Sequence, residues 1–272
     1  MDIIKVILLG IVEGVTEFLP ISSTGHLILA HEFIGLQPQS FQNAFDVCIQ
    51  LGAILAVVVL YFSKLWPFQR KEGKVVVEKD TFVLWLKVIV GVIPSAVLGF
   101  LFDDFIDEHL FKPQVVAATL LIYGILILVI ENRNEKKHVK AKVGRVENIP
   151  YAMAFAIGLF QCLAMVPGTS RSAATILGAL LLGASRGAAA EFSFFLAIPT
   201  MFGATLLKIV KNGLAFSAYQ WFLIALGAVV SFVVAVVVIQ KFMDYIRKRD
   251  FRIFGTYRIV LGLIVFLYFT FS

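Results

Sequence analysis

The residues with most chemistry to offer lie at 13–26, EGVTEFLPISSTGH, between flanks (IIKVILLGIV and LILA) apolar enough to lie in lipid. Glu13 and Glu17 are four residues apart and share one helix face. A carboxylate at bilayer depth costs about 2.5–3.5 kcal/mol, and two side by side also repel. Two readings stand. Either the helix ends near the surface, with both acids reaching water or one protonated, or the pair faces a polar cavity where it holds a cation or acts as acid and base. After Pro20 come three hydroxyls, Ser22, Ser23 and Thr24, and then His26. A lone histidine on an apolar helix is commonly a satisfied core residue, but its place three residues after Ser23 gives a proton-transfer role equal weight.

A second constellation, PGTSRSAAT, occupies 167–175. The proline ends one half-helix, Gly168 allows close backbone approach, and Thr169, Ser170 and Ser172 suit the cap of the next half-helix. Arg171 is harder to account for, because the first turn of a helix disfavours a cation. An anion docked there would explain it, since exposed N–H groups and a guanidinium fork together make a phosphate site. A structural pair with Glu13 or Glu17 is the other reading. If the two breaks meet, two carboxylates, the hydroxyl cluster, His26 and Arg171 converge at one point. Two carboxylates repel a phosphate unless a divalent cation bridges them; Mg²⁺ or Ca²⁺, which take oxygen ligands, suit Glu13 and Glu17. Ser23 could then attack phosphorus, with His26 or a glutamate handling the proton.

The elements that must position these residues are membrane helices. The chain has 272 residues, 60% hydrophobic and 15% charged, with a mean hydropathy of +0.91. That is far more apolar than a soluble protein. Six stretches are long enough to cross about 30 Å of hydrocarbon: approximately 43–63, 82–102, 114–131, 188–210, 218–240 and 253–271. Two further regions are pairs of short apolar runs, 3–18 with 24–35 and 150–165 with 171–186, broken at Pro20 and at Pro167-Gly168. Each pair reads as a re-entrant helical hairpin. The net charge of +6 comes mainly from segments 64–81, 132–149 and 241–252, a topology signal rather than a nucleic-acid patch. With six crossings and two hairpins, all three basic segments fall on the cytoplasmic side, and both termini and the acidic loop 103–113 fall outside.

The hairpins also resemble one another: Gly10-x-x-Glu13 then Pro20-Ile-Ser22-Ser23 parallels Gly158-x-x-Gln161 then Pro167-Gly-Thr169-Ser170, with one residue fewer before the proline. Three crossings follow each hairpin, so the repeat is inverted, an arrangement that places a polar site where the breaks meet. The expectation is an all-α polytopic membrane protein, six transmembrane helices plus two re-entrant hairpins. It forms a single integral membrane domain over 1–272, with halves of about 1–131 and 150–272 joined by the basic loop 132–149. The N-terminus reads as part of the fold rather than a signal peptide, and Cys48 and Cys162 as buried free thiols. His31, His109 and His138 read as interfacial or loop residues, and Arg186 and Glu191 as helix-end charges.

The two motifs EGVTEFLPISSTGH and PGTSRSAAT, with NAFDVCIQLGAILAVVV and AAAEFSFFLAIP in the helices that follow, resemble the bacterial undecaprenyl-diphosphate phosphatases of the bacitracin-resistance membrane type. The resemblance spans essentially the whole chain. It implies hydrolysis of a C55 polyprenyl diphosphate to the monophosphate carrier used for peptidoglycan and other cell-wall polymers. It also implies a divalent cation and a site opening to the outer side of the plasma membrane. Glu13 and Glu17 match the family's acidic pair, Ser23 and His26 its first hydroxyl and histidine, and Ser170, Arg171 and Thr175 its second motif. On this footing Ser23 is the favoured nucleophile, Arg171 the diphosphate binder, Glu17 with Glu13 the acid–base and metal groups, and His26 the proton donor to the leaving group; Ser22, Thr24, Thr169, Ser170, Ser172 and Thr175 complete the substrate site. The partners expected are the polyprenyl diphosphate and membrane lipid, without nucleic acid; a homodimer is left open. The competing class is a transporter or flippase of polyprenyl phosphate, since inverted repeats and broken helices are transporter architecture.

Overall fold

In the computed structural model, residues 1–71, 74–110, 112–136, 140–212 and 216–271 are described. Among the described residues six helices are long and apolar enough to cross a membrane: α3 (Gln39–Leu60), α5 (Lys79–His109), α6 (Pro113–Lys136), α9 (Arg186–Asn212), α10 (Ala218–Ile246) and α11 (Arg252–Phe271). Five of them contain their expected stretch; α3 starts four residues before its own and ends at Leu60, three residues short of it. Two pairs of shorter helices are α1 (Asp2–Thr16) with α2 (Ser23–Ile34) and α7 (Tyr151–Cys162) with α8 (Arg171–Leu181). The longest of these has 15 residues, about 22 Å at 1.5 Å per residue, less than the hydrocarbon thickness. Each pair is interrupted where expected, at 17–22 and 163–170.

Three readings change. The acidic stretch from 103 is not a loop, because α5 continues through it to His109; no glycine or proline intervenes before Pro113, and a helix need not stop at the hydrocarbon edge. The first basic segment is not wholly irregular: after α4 (Phe62–Leu65), strands β1 (Phe68–Lys71) and β2 (Lys74–Val77) pair antiparallel with Phe68 opposite Val77. The β-branched run in β2 favours that pleat. Cys48 and Cys162 are free thiols but half-buried. His138 lies outside the described residues.

The helices are held by an interior of apolar rings and small residues. Phe192, Phe194, Phe195, Phe242 and Phe251 are buried in the largest cluster, while Phe100, Leu101, Phe202 and Val229 face outward, as expected of a lipid-facing surface. α1 packs on α10 and α7 on α5, each through glycine. A Cβ on Gly10 would lie 2.7 Å from the Gly227 carbonyl oxygen, and one on Gly158 would lie 2.1 Å from that of Gly91.

The correspondence between the hairpins carries into their breaks, with one change of alignment. Ser22 and Ser170 are the N-caps of α2 and α8; each accepts from the backbone N–H three residues on, and each holds a positive φ, 76° and 71°. The spacing that relates Ser22 to Ser170 also relates Gly10 to Gly158 and Glu13 to Gln161, so no residue is missing from the second copy. Pro20 therefore corresponds to Gly168, not Pro167.

The three basic segments meet at one end of the bundle around an open cavity of about 1340 Å³, with Lys64, Arg145 and Lys248 among its lining. Arg186 and Glu191 belong to this end; Arg186 opens α9 as a helix-end charge, and both residues also pair across helices. The Arg186 guanidinium donates to both oxygens of buried Glu131, at 3.0 and 2.5 Å, and Glu191 pairs with Lys64 at 2.9 Å.

The Gly158–Gly91 contact predicts that Gly158→Leu forces α7 off α5. The expected loss is about 1–3 kcal/mol of stability, the range for overpacking, read as a lower Tm in detergent. An unchanged Tm would show that the two helices part without penalty.

Candidate active site

Glu17 stands just after the end of α1 and Ser23 begins α2, with Pro20 and a tight turn between them. The turn brings the two side chains together: the Ser23 hydroxyl donates to Glu17 Oε2 at 2.6 Å. The other carboxylate oxygen, Oε1, accepts from Arg171 Nη2 at 3.3 Å. Glu17 and Ser23 are buried, and the Arg171 side chain is 11% exposed. One carboxylate therefore bridges a hydroxyl from the first break and a guanidinium from the second. The pairing of Arg171 with a glutamate is the structural alternative weighed from the sequence; it leaves Nε without a partner.

Arg171 is steered from behind by α9. Its Nη1 donates to the Ser193 carbonyl at 2.7 Å, and the Thr175 hydroxyl donates to Ser193 Oγ, also at 2.7 Å. Thr175 thus faces Ser193 and the Arg171 carbonyl, one step behind the charged cluster. Ser172 donates to the Leu19 carbonyl at 2.9 Å and ties the second break to the first. Ser22 and Ser170 are engaged as caps, Thr169 is buried and Thr24 half-buried. A non-glycine residue at positive φ costs of order 1–3 kcal/mol and persists where the surroundings impose it; here that happens at both caps.

Glu13, one helical turn before Glu17, is wholly buried, with neither oxygen in hydrogen-bond contact with a donor. An unsatisfied buried carboxylate requires a proton, a water or a cation. Among the described residues no three His, Cys, Asp or Glu side chains gather as a metal cage. Two neighbouring carboxylates alone still suit Mg²⁺, which commonly binds one or two carboxylates and takes remaining oxygens from water and substrate phosphate.

His26 does not contact Ser23. Its Nδ1 lies 2.6 Å from the Ser22 carbonyl and its Nε2 2.7 Å from the Tyr257 hydroxyl. A carbonyl only accepts, so Nδ1 carries a proton, and in the neutral ring Nε2 accepts from Tyr257. The two rings are parallel with centroids 5.6 Å apart. They edge an apolar groove of about 450 Å³ between α1 and α11, with Ile11, Val15, Leu19 and Phe254 along its walls. His31, read as an interfacial or loop residue, lies in α2 and pairs with Asp46 of α3 at 2.8 Å.

Glu17, Ser23 and Arg171 converge as expected, with Glu13 beside them. Ser193, Tyr257, Ser231 and Arg258 were missed. Ser231 is buried on α10 with its hydroxyl unpartnered. Only Arg258 announced itself in the sequence, as a lone charge within an apolar run.

Residues 6–264 match the family described as bacitracin resistance protein BacA. The chain is 56% identical over 270 residues to the undecaprenyl-diphosphatase of Lachnoclostridium phytofermentans, covering 99% of this chain and 97% of that protein. It is 54% identical over 269 residues to the undecaprenyl-diphosphatase of Enterococcus faecalis, covering 98% and 97%. To undecaprenyl-diphosphatase 1 of Clostridioides difficile it is 53% identical over 270 residues, covering 99% and 97%.

The buried pair generates a stability prediction. Glu17→Ala strands the Arg171 charge and should cost about 3–5 kcal/mol, the range for removing one partner of a buried ion pair, read by denaturation in detergent. Adding Arg171→Met should recover most of that loss. No recovery would mean that Glu17 stabilises through some other contact.

Proposed function

This chain belongs to the bacitracin resistance protein BacA family, and on that premise we propose that the Glu17–Ser23–Arg171 cluster is the catalytic centre of a membrane phosphatase. The protein dephosphorylates undecaprenyl diphosphate, yielding undecaprenyl phosphate and phosphate, and the family's bacitracin-resistance role fits that reaction. It is a multi-pass protein of the bacterial membrane. The observation that carries the assignment of the centre is the 2.6 Å hydrogen bond from the Ser23 hydroxyl to a carboxylate whose other oxygen faces Arg171.

In this reading Ser23 Oγ attacks the terminal phosphorus while Glu17 Oε2 takes its proton. The Oγ–P bond forms, the bond from phosphorus to the bridging oxygen breaks, and undecaprenyl phosphate leaves; His26, protonated on both ring nitrogens for this step, gives the leaving oxygen its Nε2 proton. Water then attacks the phosphoserine, His26 taking the water's proton, and the Ser23–phosphate bond breaks as Glu17 returns its proton to Ser23 Oγ, releasing phosphate. Arg171 exchanges part of its contact with Glu17 for the diphosphate oxygens. Its attachment to Ser193 keeps the guanidinium aimed during that exchange, and the cap at Ser170 turns the start of α8 toward the same anion. Thr24, Thr169 and Ser172 flank the same site.

Glu13 and Glu17 would hold the divalent cation, Mg²⁺ or Ca²⁺. When bound it neutralises the carboxylates against the incoming diphosphate and polarises phosphoryl oxygen. The unpartnered oxygens of Glu13 support that placement. The polyprenyl tail lies in the apolar groove beside His26 and Tyr257, which is open toward lipid. Both broken pairs are re-entrant hairpins of an inverted repeat within one membrane domain. The matched caps, the equal spacing of the motif residues and the gathering of basic segments at one end support this. The basic end is then cytoplasmic, and the catalytic breaks open to the outer side.

The test is phosphate release from a polyprenyl diphosphate by the solubilised protein, with and without EDTA. Cation-dependent release is expected, and Ser23→Ala should reduce turnover at least about 100-fold while the lipid still binds. Unchanged turnover in Ser23→Ala removes it as nucleophile. Lipid binding without release under any cation would turn the reading to a polyprenyl-phosphate transporter.

A further inference from the structure

We infer that Arg258 is a positioning residue for the phosphatase reaction: its guanidinium grips the same backbone position in both broken helices and so sets the separation of the two caps. The inference rests on the Glu17–Ser23–Arg171 centre proposed above. Arg258 projects from the second turn of α11 and is, among the described residues, the largest wholly buried side chain. Among the described residues no carboxylate pairs with it. Its donors go to backbone carbonyls: Nη1 to Pro20 at 3.3 Å, and Nη2 to Gly168 at 2.7 Å and Thr119 at 3.4 Å. The ring of Tyr123 lies 5.6 Å from its Cζ.

Pro20 and Gly168 are corresponding residues of the two breaks, each two positions before the capping serine. Their carbonyls lie where each chain has left one helix and not yet begun the next, so neither belongs to a complete helical ladder. One planar fork serves both. A lysine ammonium is a point donor on a flexible stem and cannot reproduce that span. Thr119 on α6 adds a second pin, its hydroxyl donating to the Pro167 carbonyl at 2.7 Å.

The residue after each cap is a reacting group of the proposed centre, Ser23 after Ser22 and Arg171 after Ser170. Any shift of one break against the other therefore shifts the nucleophile against the phosphate binder. Misplacement by about 1 Å can lower a rate 100-fold. A buried cation without a counter-ion is a poor device for stability alone, since apolar replacements of buried charges are often neutral or better. Its use here is geometric: it joins two turns that share no regular hydrogen bonding.

The experiment compares the full-length solubilised protein with Arg258→Lys and Thr119→Val, measuring Tm, kcat and KM on a polyprenyl diphosphate, with Glu17→Gln alongside. Arg258→Lys should remain folded, lose kcat 10- to 100-fold and keep KM within threefold. Thr119→Val should show the same split with a smaller loss. Arg258→Lys with kcat within threefold of the parent overturns the inference. So does a loss of activity no larger than the loss of folded protein, which makes Arg258 a stabilising residue only, or a tenfold rise in KM, which makes it a substrate contact. If Arg258→Lys fails to fold, Thr119→Val decides: an unchanged kcat there overturns the inference. Full activity in Glu17→Gln would instead sink the proposed centre.

Discussion

A helix interrupted among apolar helices leaves backbone groups that water cannot reach, and each must find a partner inside the protein. This chain carries that burden twice. Ser22 and Ser170 satisfy the starts of α2 and α8, at the expense of a left-handed backbone at each. Carbonyls stranded in the breaks are taken by Ser172, Thr119 and Arg258. Polar side chains concentrate at the breaks because irregular backbone concentrates there. The groups of the proposed catalytic centre are thus held by contacts that the broken helices needed in any case.

The same economy governs charge. Glu17 and Arg171 neutralise each other, while the hydroxyl of Ser23 occupies the remaining oxygen of Glu17. Glu13 is left over, wholly buried beside a second carboxylate and without a donor. Of the corresponding Gln161, Nε2 donates to Ser95 and Thr200 while the buried Oε1 has no partner.

Much of this was legible in the sequence because it depends on local pattern. Apolar runs of membrane length located six helices, Pro20 and Pro167-Gly168 located the breaks, and buried-type positions held by Glu17 and Arg171 marked the cluster. Single-residue roles were less legible. A serine near a proline reads equally as cap or nucleophile, and only the folded turn separates Ser22, which caps, from Ser23, which meets Glu17. Ser193 and Tyr257 gave no signal, since a serine or tyrosine in an apolar helix is unexceptional and their contacts span long separations in the chain. The repeat was aligned on proline, the conspicuous residue, whereas the structure aligns on the capping serine. That shift exchanged Pro167 for Gly168 and hid the symmetry of the Arg258 contacts.

The groove between α1 and α11 is walled by aliphatic side chains and ends at His26 and Tyr257. A substrate whose tail lies in such a groove never leaves the bilayer to react. It arrives by diffusion in a plane, and the quantity that governs encounter is the number of substrate molecules per lipid, not per unit volume of solution. The water-soluble product departs in three dimensions while the lipid product stays in two. The membrane itself then separates the products, with no further work by the protein.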